Sequence, residues 1–455
     1  MNRGIIFLLF GIFATGTVLN LPGHTQQTTS TRAGDAAQRD AWRTTMKHIP
    51  LPNKGCFKAS YPATEWREAT CTTAPPYPYP TARGLNPETV GDGYDFVAEA
   101  VPSTSYLSSA YGNFANSSNV TSVSDSGGQS AFALQLDANA FITSACDGAA
   151  VPSECRGWQQ FIFSDTGLIF MQYWLFNYGT ACPGGWNSYT PPGGGTNDCW
   201  KNSSGMSTPT FTAAEVANLE VTGEAENGTD EVIFYSSDPN ESGYAVGEDS
   251  VLGLEDGWNE AEFNVVGDCC LTEAVFNSGA TLIPEVIMDN GTSNAPQCTI
   301  GGSGTTGETN SLSLVPASSP VCCPIGESVQ FMESSASGVS ATCGAGGLEA
   351  EGNFTATPYS IDGSKVIITH PIIENEIRTE YSATLEDSTS GATIYYQLFD
   401  NCGNSLGGPT GVSSGTTIEY LNIEIDGEDC TYGISGKIYA TASGDLQSFR
   451  NTIVF

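Results

Sequence analysis

Histidine is nearly absent from this chain: His24, His48 and His370 are the only three in 455 residues, and none lies between 88 and 300. That stretch therefore cannot assemble a Ser–His–Asp triad, a Cys–His pair or a histidine-ligated zinc site, since each needs an imidazole. His370, between Thr369 and Pro371, has no matched partner in the sequence and reads as a surface or packed residue. No CxxC spacing occurs among the cysteines, which removes the usual thiolate metal sites. No glycine-rich phosphate loop follows a strand-like run, so nucleotide chemistry is not expected. Basic residues are also scarce, 15 Lys and Arg against 50 Asp and Glu, for a net charge of −35. Such a surface repels nucleic acid and anionic membranes, and neither is expected as a partner. Apolar runs long enough to span a bilayer are missing after the first two dozen residues. An enzyme built on this chain must work with carboxylates, amides, tyrosines or metal-bound oxygen. No metal or other cofactor is expected, because no ligand spacing specifies one.

What is present points to secretion. Arg3 precedes an apolar stretch over residues 4–21 that ends in small residues, the pattern of a signal peptide, so residues 1–24 are read as removed on export to the extracellular space. Fourteen cysteines, an even number, meet an oxidising compartment there and pair by default. Near neighbours suggest Cys56 with Cys71, Cys146 with Cys155, Cys182 with Cys199 and Cys402 with Cys430. Cys269 and Cys270 cannot easily bond each other, and Cys298 is a near choice for one of them. Seven Asn-x-Ser/Thr sites, at Asn116, Asn119, Asn202, Asn227, Asn240, Asn290 and Asn353, are glycan acceptors in a eukaryotic host.

The charge is unevenly placed. Residues 1–83 hold nine Lys and Arg against four Asp and Glu, leaving six against 46 for the remainder. A basic leader, residues 25–87, thus precedes an acidic body. The leader contains the extended, proline-rich Ala74-Pro75-Pro76-Tyr77-Pro78-Tyr79-Pro80, which reads as a linker. Charge attraction that weakens as carboxylates protonate would suit an inhibitory pro-region. The acidity suits acid surroundings, or solubility alone.

From 88 to 300 short alternating apolar and polar runs are divided by Gly, Asn, Asp and Ser, with hardly any helical period. Strands are expected at 130–136, 159–163, 169–178, 231–235, 261–266 and 281–288, with one helical turn at 213–219. Gly301 to Gly307 reads as a flexible linker, placing a boundary at 301–311. The strand pattern resumes over 312–455, at 328–332, 365–369, 392–399, 417–425 and 436–442. The fold class is all-β: a sandwich at 88–300 and a second, smaller one, Ig-like or jelly-roll, at 312–455.

Strand parity then offers a site. If Phe161 and Phe163 enter the core, Gln160 points the other way with Trp158. After a turn at Ser164–Gly167, the return strand sets Gln172, Trp174, Phe176 and Tyr178 on one face. By the same rule Ala261, Phe263 and Val265 face the core while Glu262 and Asn264 face outward. A face of amides and aromatics suits an extended polymer, peptide or glycan. A mid-strand carboxylate on it is a candidate general acid/base, its pKa raised by burial.

The order of a Ser130-Ala131-Phe132 strand, a Gln strand, a Tyr-Trp strand and an Asn-x-Ala-Glu-aromatic strand is similar to that of the glutamic peptidases, the eqolisins. The closest local match is Asn259-Glu260-Ala261-Glu262-Phe263 followed by Phe276-Asn277-Ser278-Gly279. The resemblance covers about 170 residues and implies a concanavalin-like antiparallel β-sandwich with a Gln/Glu dyad active at acid pH. It carries the catalytic Glu onto Glu262 and the Gln onto Gln160, with Gln159 as runner-up. An acidic residue that the family places beyond the Gln is replaced here by Ile162 or a neighbour. The expected function is a secreted, acid-active endopeptidase acting on an extended polypeptide, with Trp158, Gln172, Trp174, Tyr178 and Asn264 lining the substrate groove. The alternatives are a lectin-like sandwich that stacks sugars on Trp158, Trp174, Tyr178 and Trp186 without catalysis, and a structural cell-surface protein.

Overall fold

Two-residue alternation bounded by turn residues produces strands almost everywhere, and the protein is an all-β sandwich. The computed structural model describes residues 42–79, 96–125, 131–191, 195–236, 242–300 and 309–351, less a few single or paired positions. Beyond them it describes the backbone of eight strands between 361 and 452.

Two large sheets make up the first body. The front sheet runs, edge to edge, Asn187–Tyr189, Asp198–Asn202, Leu168–Phe176, Arg156–Ser164, Ala133–Ala138, Glu260–Val266, Phe96–Glu99 and Gln297–Ile300. The back sheet runs Arg67–Ala69, Gly55–Ser60, Ser242–Asp249, Thr229–Ser236, Leu219–Glu226, Ser109–Ser118, Thr281–Asp289, Ser328–Phe331 and Cys322–Ile325. The pairings within both orders are antiparallel. Between the sheets lies one apolar core that includes Phe161, Phe163, Val221, Phe234, Trp258, Phe263 and Val265.

Two glycines of the back sheet fix how the front strands seat. A Cβ on Gly112 would lie 2.0 Å from the Phe263 ring, and one on Gly223 would lie 2.5 Å from the Phe161 ring. Each phenylalanine thus fills a hole where the opposite strand has no side chain. Phe263 and Phe161 are the chain neighbours of Glu262 and Gln160, so burying the rings turns the carboxyl and the amide to the other face. The hairpin between 164 and 168 closes with Gly167 at φ 85°, its N–H donating to Ser164 O at 2.9 Å.

The fold departs from the sequence reading in several places. The leader is not simply a tail: Gly55–Ser60 adds to the edge of the back sheet against Ser242–Asp249, and Trp42, Met46, Phe57 and Trp66 cover its outer face with Ile233, Tyr235 and Ala245. Lys47 joins it to the acidic body through an ion pair with Glu220 at 2.7 Å. Residues past the boundary expected at 301–311 pair with the first body, Ser328–Phe331 with Thr281–Asp289 and Thr309–Asn310 with Glu273–Phe276. Those residues supply strands that the first sandwich needs to cover its edge. Further along, the strands from 361 to 452 form a five-stranded and a three-stranded sheet.

Disulfides join Cys56 to Cys71, Cys146 to Cys155 and Cys182 to Cys199. Cys298 bonds Cys322, not Cys269 or Cys270, because its strand lies at the sheet margin beside residues 322–325; Cys323 bonds Cys343. Cys402 and Cys430 lie outside the described residues. Among the described residues no helix is long and apolar enough to cross a membrane.

Candidate functional site

Register lines the outer face of the front sheet in tiers. Glu262 is the cross-strand partner of Asp137, Asp137 of Gln160, Gln160 of Gln172, and Gln172 of Asn202. Five neighbouring strands therefore contribute one polar residue each to a single row. On one side of that row Trp158, Trp174 and Trp200 stand in register and pack with Phe176. On the other side the next tier is Asn264, Gln135, Ile162 and Phe170.

Within the row, Gln160 Nε2 donates to Gln135 Oε1 at 3.2 Å, and Gln160 Oε1 accepts from Trp174 Nε1 at 3.3 Å. Trp174 Nε1 also donates to Gln172 Oε1 at 2.9 Å, and Gln172 Nε2 to Asn202 Oδ1 at 2.7 Å. These bonds hold the amides in fixed orientations. Glu262 and Gln160 lie on the same face two strands apart, which separates their backbones by about 10 Å. Asp137 lies between them in the row. Glu262 and Asp137 are direct partners on adjacent strands, so the two carboxyl-bearing residues stand next to each other on this face.

Of the residues singled out from sequence, the row unites Glu262, Gln160 and Gln172, with Trp158 and Trp174 beside them. Gln159 points the other way, into the core, where its Nε2 meets Met171 Sδ at 3.7 Å. Asn264 keeps the expected parity, but Glu333 Oε1 accepts its Nδ2 at 3.0 Å. Tyr178 is not on this face. The strand ends at Phe176, Asn177 turns the chain with φ 54°, and Tyr178 enters the core. Trp186 is likewise elsewhere, near Lys201 and Tyr173 on the core side.

Nor is the face an open groove. Glu262, Asp137, Gln160 and Gln172 are all 0 % exposed. Part of the cover is the proline-rich segment itself: Ala74, Tyr77 and Tyr79 pack on Ala133, Ile162, Phe170 and Val266. Burial, and next the Asp268 carboxylate, push the Tyr77 phenol up to about 12.

Sequence reasoning passed over Asp137, Gln135, Asn202, Trp200 and Asp268. The signal for the first two was present, since Gln135 and Asp137 alternate with Leu134 and Leu136. Among the described residues no cluster of His, Cys, Asp and Glu has the arrangement of a metal site. No family model, no characterised protein and no solved structure matches this chain.

Proposed function

We propose that the protein is a secreted, acid-active endopeptidase that uses Glu262 and Gln160, with its own N-terminal segment bonded to Gln172 and Asn202 farther along the same row. The observation that carries the reading is the single in-register row Glu262–Asp137–Gln160–Gln172 on one face. Five disulfides among the described residues support a life in an oxidising compartment.

In this reading Glu262 takes a proton from a water molecule as that water attacks the scissile carbonyl carbon. It then returns the proton to the amine nitrogen as the C–N bond breaks. Gln160 Nε2 swings from Gln135 Oε1 to the developing oxyanion, which supplies charge stabilisation without any histidine. Asp137 sets a second carboxyl beside Glu262 in the row, and chemistry run by carboxyls and an amide alone, without histidine, suits an acid working range. Gln172 and Asn202 hold the substrate backbone. Access requires the 74–79 segment to leave, and protonation of the acidic body weakens its ties to the basic leader.

Gln160→Ala tests the assignment. Removing one oxyanion donor lowers kcat by about 10²–10³ while KM for a peptide substrate stays within a few-fold. An unchanged kcat would remove Gln160 from the mechanism.

A further inference from the structure

Residues 74–79 cross the front face as a strap that bends at Pro76 and Tyr77 and pairs with no strand among the described residues. Asn202 Nδ2 donates to Pro75 O at 2.7 Å, and Gln172 Nε2 donates to Tyr77 O at 3.4 Å. Tyr79 N–H donates to Gln172 Oε1 at 2.7 Å. The contacts fall on backbone groups of alternate residues, 75, 77 and 79, so side-chain amides of the sheet read the main chain whatever side chains it bears. Pro75, Pro76 and Pro78 restrict the segment and offer no N–H; of the N–H groups that remain, that of Tyr79 is the one the Gln172 amide reads.

One side chain is read closely. Tyr79 is fully buried against Ala133, Ile162, Phe170 and Val266, its ring centroid 5.7 Å from that of Phe170. At the foot of this slot Asp268 Oδ1 accepts the Tyr79 hydroxyl at 3.3 Å and Ser164 Oγ at 2.7 Å. The Asp268 N–H is fixed in turn by Asp125 Oδ2 at 2.9 Å. A buried carboxylate in an apolar slot is costly unless donors reach it, so the slot favours a phenol over a plain ring.

We infer that this face is a recognition site for proline-containing peptides, with the Asp268 slot selecting a tyrosine, and that residues 74–79 occupy it as a built-in pseudo-ligand. The inference deepens the peptidase reading and rests on it for the fate of the bound peptide; recognition itself requires neither Glu262 nor Gln160. Proline-rich segments suit such a face because their prolines restrict the free chain before binding, so less order is lost on docking. A segment held by side chains alone, outside any ladder, is also among the first parts of a fold to open.

The test uses the full chain with Glu262→Gln, so that no peptide is consumed, and with Tyr79→Ala to empty the slot. Fluorescein-labelled Ala-Pro-Pro-Tyr-Pro-Tyr, and forms ending in Phe or Ala, are titrated by fluorescence anisotropy. The Tyr-ended peptide binds the emptied protein about tenfold tighter than the Phe-ended one and tighter still than the Ala-ended one, and the protein with Tyr79 intact binds none of them measurably. Asp268→Asn narrows the Tyr/Phe ratio to about twofold. Tyr79→Leu, which keeps apolar bulk in the slot, gives the same ranking with weaker binding if Tyr79→Ala does not fold. Equal binding of all three peptides, or none by either variant once folded, overturns the inference. Because binding is read without turnover, a protein that ranks the peptides yet never cleaves them would sink only the peptidase reading.

Discussion

The back sheet makes the protein more stable in acid than at neutral pH, for a reason that can be traced to three carboxyls. Glu224 and Glu231 are direct partners on adjacent strands, and Asp230, next to Glu231 in the chain, is buried on the opposite face. Burial, and then the charges of Glu231 and Glu226, push Glu224 up to about 8. Burial, and then Glu226, raise Glu231 to about 7, and burial raises Asp230 to about 6 against hydrogen bonds that oppose it. In the unfolded chain all three titrate near 4. Between about pH 4 and pH 8 the folded protein therefore holds more protons than the unfolded one, and stability falls as pH rises. The contribution is fully present below the unfolded pKa values and is lost by the time pH passes the folded ones. Each extra proton is worth about 1.4 kcal/mol per pH unit. Water contact and the mutual coupling of the glutamates cut the raw sum, leaving a loss on the order of 4 kcal/mol between about pH 4.5 and pH 8. Urea denaturation at fixed ionic strength across that range measures it. The double variant Glu224→Gln, Glu231→Gln is stabilised at pH 8 and changed little at pH 4.5. General repulsion in a chain of net charge −35 acts in the same direction, and the double variant isolates the local share. A stability that is flat or rises with pH in the parent, or a double variant that follows the parent, would refute the reasoning.

Other consequences are equally direct. Gly223→Val places a side chain where the Phe161 ring sits and costs about 1–3 kcal/mol by thermal melting, with Gln160 displaced in the same step. Lys47→Met leaves the Glu220 carboxylate, 5 % exposed, without its cation. It destabilises the protein by about 3 kcal/mol at pH 7, read by urea denaturation. Asn202 is engaged on both amide atoms, so an Asn202 peptide from folded protein made in a eukaryotic host carries no glycan in mass spectrometry.

Local alternation was enough to read most of the front sheet. It separated Phe161 and Phe163 from Gln160, and Ala261, Phe263 and Val265 from Glu262, because a two-residue period assigns faces without knowledge of the partner strand. The strand ends were harder. Tyr178 continues the aromatic alternation of the return strand, and only the turn at Asn177, φ 54°, sends it to the core. The fit of Phe263 over Gly112 and of Phe161 over Gly223 is invisible in sequence, since nothing local says which glycine faces which ring across the sandwich. Asp137 could have been found by parity, yet its place between Glu262 and Gln160 depends on strand order, which only tertiary pairing sets. The proline-rich segment had the composition of a linker. Its use as a strap follows from amides on two strands far along the chain, at Gln172 and Asn202.

The claim that Glu262 is the acid/base of a peptidase is tested most directly by one comparison. Parent protein and Glu262→Gln, each preincubated at about pH 3.5, are mixed with an unfolded protein, and new N-termini are counted by mass spectrometry. The carboxylate reading predicts new termini with the parent and none above background with the variant, which keeps the shape of the side chain but cannot carry the proton. Cleavage retained in the variant, or absent from both while the strap is shown to be displaced, would contradict it.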